Sequence, residues 1–186
     1  MKRLFFIFAL FFFSCADENP VPKPIGYFRI DLPESDYREK EPLNCPLEFQ
    51  ISQNSRLEYT SKDKCWFNVS YPAYRAKIHL TYKPVEDNLR DYIEESRTLT
   101  YEHQIKANSI RQNTIVDRER EVYGLIYDLG GSVASPVQFY LTDSTNHFLR
   151  GSLYFNARPN PDSIKPVLRY VRSDIDQMIE SLNWTD

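Results

Sequence analysis

Apolar and polar positions alternate with a period of two in several short stretches of the chain and recur at threes and fours in two longer ones, so both strands and helices are predicted. Gly26 to Leu32 (GYFRIDL) sets Tyr27, Arg29 and Asp31 against Phe28, Ile30 and Leu32, which predicts a first strand closed by Pro33. Leu47 to Ile51 repeats the alternation with Leu47, Phe49 and Ile51 inward. Trp66 to Tyr71 and Ala76 to Tyr82 flank the Pro72 turn and read as a hairpin. Pro84 then interrupts the strand pattern, and Asp87 or Asn88 is placed to cap a helix that starts near residue 88. Leu89, Tyr92, Ile93, Leu99 and His103 fall roughly on one face of that helix, with Arg90, Glu94, Glu95 and Arg97 mostly elsewhere. It is expected to end between Gln104 and Asn108.

Strand signals resume at Asn113 to Val116, Val122 to Leu129, Val137 to Thr142 and Phe148 to Phe155. The separators are charged Asp117 to Glu121, flexible Gly130-Gly131-Ser132, and Asp143 to Asn146, whose residues suit a tight hairpin loop. After Pro159 to Asp162, a last helix carries Ile164, Val167, Leu168, Val171, Ile175, Met178, Ile179 and Leu182. Strands joined mostly by short turns, with one internal helix and one C-terminal helix, predict an α+β domain built on a largely antiparallel sheet. The element order is similar to the PsbP/Mog1-type α-β-α sandwich, a likeness of fold that carries no function.

The first residues do not belong to that pattern. Met1, Lys2 and Arg3 form a basic head, and Leu4 to Phe13 is an unbroken apolar run. As a helix the run would rise only about 15 Å, roughly half the bilayer core, so it reads as an export signal and not a membrane span. Phe12-Phe13-Ser14-Cys15 resembles the lipobox of bacterial lipoproteins, in which the Cys thiol receives diacylglycerol and the chain is cut just before it. Phe12 stands where Leu or Val is usual; the alternative is a plain secretory signal ending near a Cys. Ala16 to Pro24 (ADENPVPKP) is polar and Pro-rich and reads as an extended tether. The organisation expected is therefore a leader over 1–14, a lipidated N-terminus and tether over 15–25, and one globular domain over 26–186.

That address sets the cysteine chemistry. With lipid on Cys15, Cys45 and Cys65 remain as an even pair in an oxidising compartment, and a disulfide between them is the natural inference. Two separate buried thiols are the alternative, and their spacing lacks the pattern of a zinc site.

Composition narrows the function further. The chain of 186 residues is 41% hydrophobic and 26% charged, with formal net charge −3, and its basic residues do not form one run, which argues against a nucleic-acid partner. His79, His103 and His147 are the only imidazoles and lack metal-ligand spacing. Ser135, Asp143 and His147 hold the residue types of a hydrolase triad, but Gly131 to Ser135 is not a nucleophile elbow. No catalytic residue, metal or cofactor is expected beyond the covalent diacylglycerol and fatty acyl group at Cys15. The aromatic load is high, 13 Tyr, 12 Phe and 2 Trp. Most of it suits core packing, while Tyr71, Tyr74 and Tyr140 are expected to face outward as an interaction surface.

Four segments together resemble one family. GYFRIDLP at 26–33, KIHLTYKPV at 77–85, YIEESRTL at 92–99 and above all ASPVQFYLTDSTNHFLRGSLYFN at 134–156 are similar to the gliding motility lipoprotein GldD family of Bacteroidetes bacteria. The resemblance runs from about Gly26 to Trp184. It implies a non-enzymatic, lipid-anchored cell-envelope protein needed for surface gliding, a process tied to type IX secretion, with other gliding-motility envelope proteins as partners. Two functions of different class follow. One is a scaffold or assembly factor whose contact surface lies around Ser132, Pro136, Tyr140 and Asp143. The other is a periplasm-facing protein that binds a small lipid or glycan in a pocket of the sheet.

Overall fold

The computed structural model describes residues 26, 27, 29–38, 45–61, 65–156 and 160–185. The expected leader over 1–14, Cys15 and the tether over 15–25 lie outside the described residues.

One antiparallel sheet of seven strands forms the centre. In chain order its strands are β4 (Arg56–Ser61), β5 (Trp66–Tyr71), β6 (Ala76–Pro84), β7 (Ala107–Asp117), β8 (Val122–Gly131), β9 (Val137–Thr142) and β10 (His147–Phe155). In space they run β4-β5-β6-β10-β9-β8-β7. Short β1 (Tyr37–Arg38) pairs with β3 (Ile51–Ser52), and β2 (Leu47–Glu48) pairs with β11 (Asn183–Trp184). Helix α1 (Leu89–Tyr101) and helix α2 (Pro161–Glu180) cover opposite faces, so the layers are α-β-α.

The period-two strands explain this layering. Phe67, Val69 and Tyr71 of β5, Ile78 and Leu80 of β6, Phe139 and Leu141 of β9, and Leu149 and Leu153 of β10 all point to one face and are buried. Val167, Val171, Ile175 and Met178 of α2 close over them, in line with the predicted stripe. Burying each such side chain contributes roughly 1.5–3 kcal/mol, so this face holds most of the apolar driving force. Asn160 caps α2, its Oδ1 accepting the Ser163 N–H at 3.4 Å.

The other face is more polar. Helix α1 fully buries only Ser96 and Thr100, while Leu89, Tyr92 and Ile93 pack half-buried against Tyr127, Tyr140 and Phe148. Arg150 of β10 donates to Gln138 Oε1 at 2.8 Å in the same layer. The predicted cap position is right, but the predicted bond is not made. The Asn88 amide points back to accept the Glu86 N–H at 3.0 Å and donates to the Tyr92 hydroxyl at 3.1 Å.

Three expectations about elements are corrected. Gly26 to Leu32 contains no strand among its described residues; Arg29 instead pairs with Asp31 two positions on, and only Leu32 packs on the core. Alternation permits a strand, but a strand forms only beside a partner. Gly130 and Gly131 do not form a loop: they continue β8 and pair with Ser109 and Ala107, Gly131 at a φ of 102°. Strand β4 was not foreseen, and β7 is longer at both ends than Asn113 to Val116. The hairpin of β5 and β6 around Pro72–Tyr74, strand β9 and the Asp143 to Asn146 loop agree with the sequence reading.

Candidate functional site

The residues expected to make one contact surface are separated by the strand that links them. Ser132 is exposed in the β8–β9 connection, whereas Pro136 is buried, its carbonyl accepting the Leu129 N–H at 2.8 Å. Tyr140 is 7% exposed and stacks on Phe148 under α1, with ring centroids 5.7 Å apart. Asp143 lies beyond the far end of six-residue β9, about 20 Å from Pro136 at the usual rise per residue. The same separation keeps Ser135 away from Asp143 and His147, so they form no triad. The outward tyrosine surface is likewise corrected: Tyr71 is 1% exposed in the main core, and half-buried Tyr74 meets Tyr170 edge-on at 5.9 Å. Residues on the inward face of a strand cannot serve the outside.

Asp143 and His147 have local tasks. The Asp143 carboxylate accepts the N–H groups of Thr145, Asn146 and His147 at 2.8–3.0 Å. Burial works to raise its pKa, but these backbone bonds outweigh it and hold the carboxyl below its usual range. His147 Nδ1 lies 2.9 Å from the Tyr82 hydroxyl, and its ring stacks on Trp184 at 5.1 Å. Trp184 Nε1–H donates to the Glu121 carbonyl at 3.2 Å, so β11 is tied to the loop end of the sheet. His79 pairs with Asn68 Oδ1 at 2.7 Å on an exposed strand position, and the His103 side chain is not among those described. Among the described residues no three His, Cys, Asp or Glu side chains gather as a metal-binding group, and no helix is long and apolar enough to cross a membrane.

Cys45 and Cys65 are joined in a disulfide with Cα atoms 5.6 Å apart. The bridge closes the segment holding β2, β3 and β4, and Gln50 of that segment is held by Ser181 and Gln177 at the end of α2.

Asp174 was not singled out from the sequence. It follows Val167 and Val171 at helical spacing and so occupies an inward position of α2, a carboxylate where an apolar residue is expected. It is 4% exposed, and Tyr37 donates to its Oδ1 at 3.0 Å. Burial pushes its pKa up, opposed by hydrogen bonding from the Tyr37, Tyr71 and Ser52 hydroxyls. A native state that holds this proton more tightly than the unfolded chain is most favoured below the unfolded value of about 3.9. Its contribution then declines as pH rises through the raised native pKa. Asp174→Asn removes the titration, so urea midpoints of the variant are expected to gain on those of the wild type between pH 4 and pH 7. Parallel pH profiles would show that Asp174 titrates alike in both states.

The least protected surface is the edge of the sheet at β7. This strand has 11 residues, and among the described residues nothing pairs with its outer side. From Ser109 to Asp117 its pairing with β8 runs without a break, about 30 Å of open backbone. Sheet edges are commonly blunted by Pro, Lys, bulges or shortness. Here a register shift occurs only at the start, between Ala107 and Ser109, and the strand carries neither Pro nor Lys. Val116 is 60% exposed near one end, and Ile105 is 90% exposed just before the other. The opposite edge, β4, is only six residues long, carries Arg56 and Glu58, and bulges between Tyr59 and Ser61.

In comparison with known proteins, the family described as gliding motility lipoprotein GldD matches residues 17–184. No curated protein matches the chain.

Proposed function

The chain belongs to the gliding motility lipoprotein GldD family, and from that premise we propose a non-enzymatic, lipid-anchored adaptor that holds another envelope component of the gliding and type IX secretion machinery. Residues 1–14 act as the leader, Cys15 carries the diacylglycerol and fatty acyl groups, 15–25 form the tether, and 26–186 are the working domain. The lipid keeps the domain in one envelope layer, which raises the effective concentration of any partner in that layer.

The observation that carries the adaptor role is the open β7 edge. An extended segment of a partner adds there as an eighth strand, its main chain supplying affinity and the alternating side chains supplying selectivity. Ser132, exposed beside that end of the sheet, remains available to such a partner.

Successive amides in a strand point to opposite sides, so one of Asn113→Pro and Thr114→Pro removes only an outward N–H. That variant is expected to fold with the wild-type urea midpoint. After mild crosslinking in the native host, the lipidated wild type should co-purify an envelope protein that the folded Pro variant loses. Equal capture by both would exclude the β7 edge. The anchor is tested separately by deleting the gene and restoring either wild type or Cys15→Ala: gliding is expected to return with the wild type alone. Rescue by both would make the lipid dispensable.

A further inference from the structure

We propose that the cleft between α2 and the β7–β8 end of the sheet binds the phosphate-bearing headgroup of an anionic phospholipid. The cleft encloses about 320 Å³. Lys165, Leu168, Arg169 and Arg172 line it from α2 at helical spacing i, i+3, i+4, i+7, and Arg111 faces them from β7. The stripe lies beside the one formed by Val167, Val171 and Ile175, so the packing that seats α2 on the core also aims these cations at the cleft.

The charges in the cleft do not balance. Arg172 Nε donates to Asp128 at 2.8 Å, and its Nη1 bonds to Asp176, which occupies both carboxylates with one guanidinium. Asp128 is also the cross-strand neighbour of Arg111. Among the described residues Arg111, Lys165 and Arg169 form no ion pair, and all three are exposed. In a chain with 26 acidic and 23 basic side chains, four cations against two carboxylates, both of them taken up by Arg172, are a local departure. Guanidinium groups favour the planar, bidentate geometry that phosphate offers.

A phospholipid fits better than a soluble acid because of Leu168 and the chain's own anchor. Leu168 gives the cleft an apolar wall beside its cations. A tether over 15–25 reaches at most about 40 Å when fully extended. This step rests on the lipidation of Cys15 proposed above, which confines the domain within reach of headgroups. The cleft opens on the α2 side of the sheet, so its occupation leaves the sideways β7 edge accessible.

The test uses residues 15–186 with Cys15→Ala, which contain every described residue and carry no lipid. This chain is expected to sediment at low salt with phosphatidylcholine vesicles containing one-third phosphatidylglycerol and not with phosphatidylcholine alone. Arg111→Glu/Lys165→Glu/Arg169→Glu should weaken that binding by about tenfold or more, since each cation near an anionic surface contributes appreciably. Arg56→Glu/Arg90→Glu/Arg118→Glu carries the same charge change elsewhere and should retain most of it. Equal loss in both triple variants, or no binding to either vesicle, would overturn the proposal. Binding of free glycerol phosphate or poly-glutamate without vesicle binding would also overturn it, in favour of a soluble anion or an acidic partner. Since the tested chain has no lipid, failure here leaves the anchor experiment unaffected, and failure of the anchor would show only in gliding.

Discussion

Gly124→Ala is expected to destabilise the domain by about 3 kcal/mol or more, at the upper end of what overpacking usually causes. Gly124 lies in β8 opposite Leu141 of β9, and a Cβ there would sit 2.0 Å from the Tyr140 carbonyl oxygen. The obstruction is backbone, so no side-chain rotation relieves it, and the β8–β9 pairing must spread. That pairing lies one strand in from the β7 edge, with Ile126 and Phe139 buried on its main-core face and Tyr127 and Tyr140 on the other. Spreading therefore disturbs both apolar layers. Gly26→Ala is the matched control, because nothing lies within 4 Å of the added carbon, and it should unfold within about 0.5 kcal/mol of wild type. Urea denaturation of the three proteins decides the matter: a Gly124→Ala midpoint equal to that of Gly26→Ala would mean that β8 and β9 do not meet in this register.

Cys45→Ser/Cys65→Ser is expected to lose about 3 kcal/mol and about 10 °C in Tm. The bridge spans a sequence separation of 20 and so removes much of the freedom of that loop in the unfolded chain. The folded state gains as well, because Leu47, Phe49 and Ile51 within the closed segment are buried in the main core. Wild type should drop to the level of the double variant when dithiothreitol is added, while the variant itself should not respond. A wild-type midpoint indifferent to reductant would show that the bridge contributes nothing to stability.

The elements legible in the sequence are those whose burial is decided by their own periodicity. Strand β9 agrees with its prediction, and the α2 stripe does so because one helix face meets one sheet face. The disulfide was legible for a different reason: Cys45 and Cys65 are the even pair that remains once Cys15 is read as the lipid site. Strand β4 escaped because Arg56 to Ser61 (RLEYTS) is weakly apolar, and it is a strand by virtue of its pairing with β5. Tyr140 was misassigned because alternation tells which residues share a face but not what covers it. Helix α1 lies over that face, and so the side chain turned away from the main core is still buried.

The sequence by itself determined the family, the α+β class and many of the partners in the main core, since these depend on local pattern or long contiguous likeness. Tertiary structure alone decided which surfaces remain open. Strand order places β7 at an edge although it lies mid-chain, and it brings Arg111 across from Lys165, Arg169 and Arg172, residues more than fifty positions away in sequence. It also puts Asp174 among tyrosine hydroxyls instead of solvent. An edge, a cleft and a buried carboxylate are relations between elements distant along the chain. Periodicity records only neighbours, so it carries no account of them.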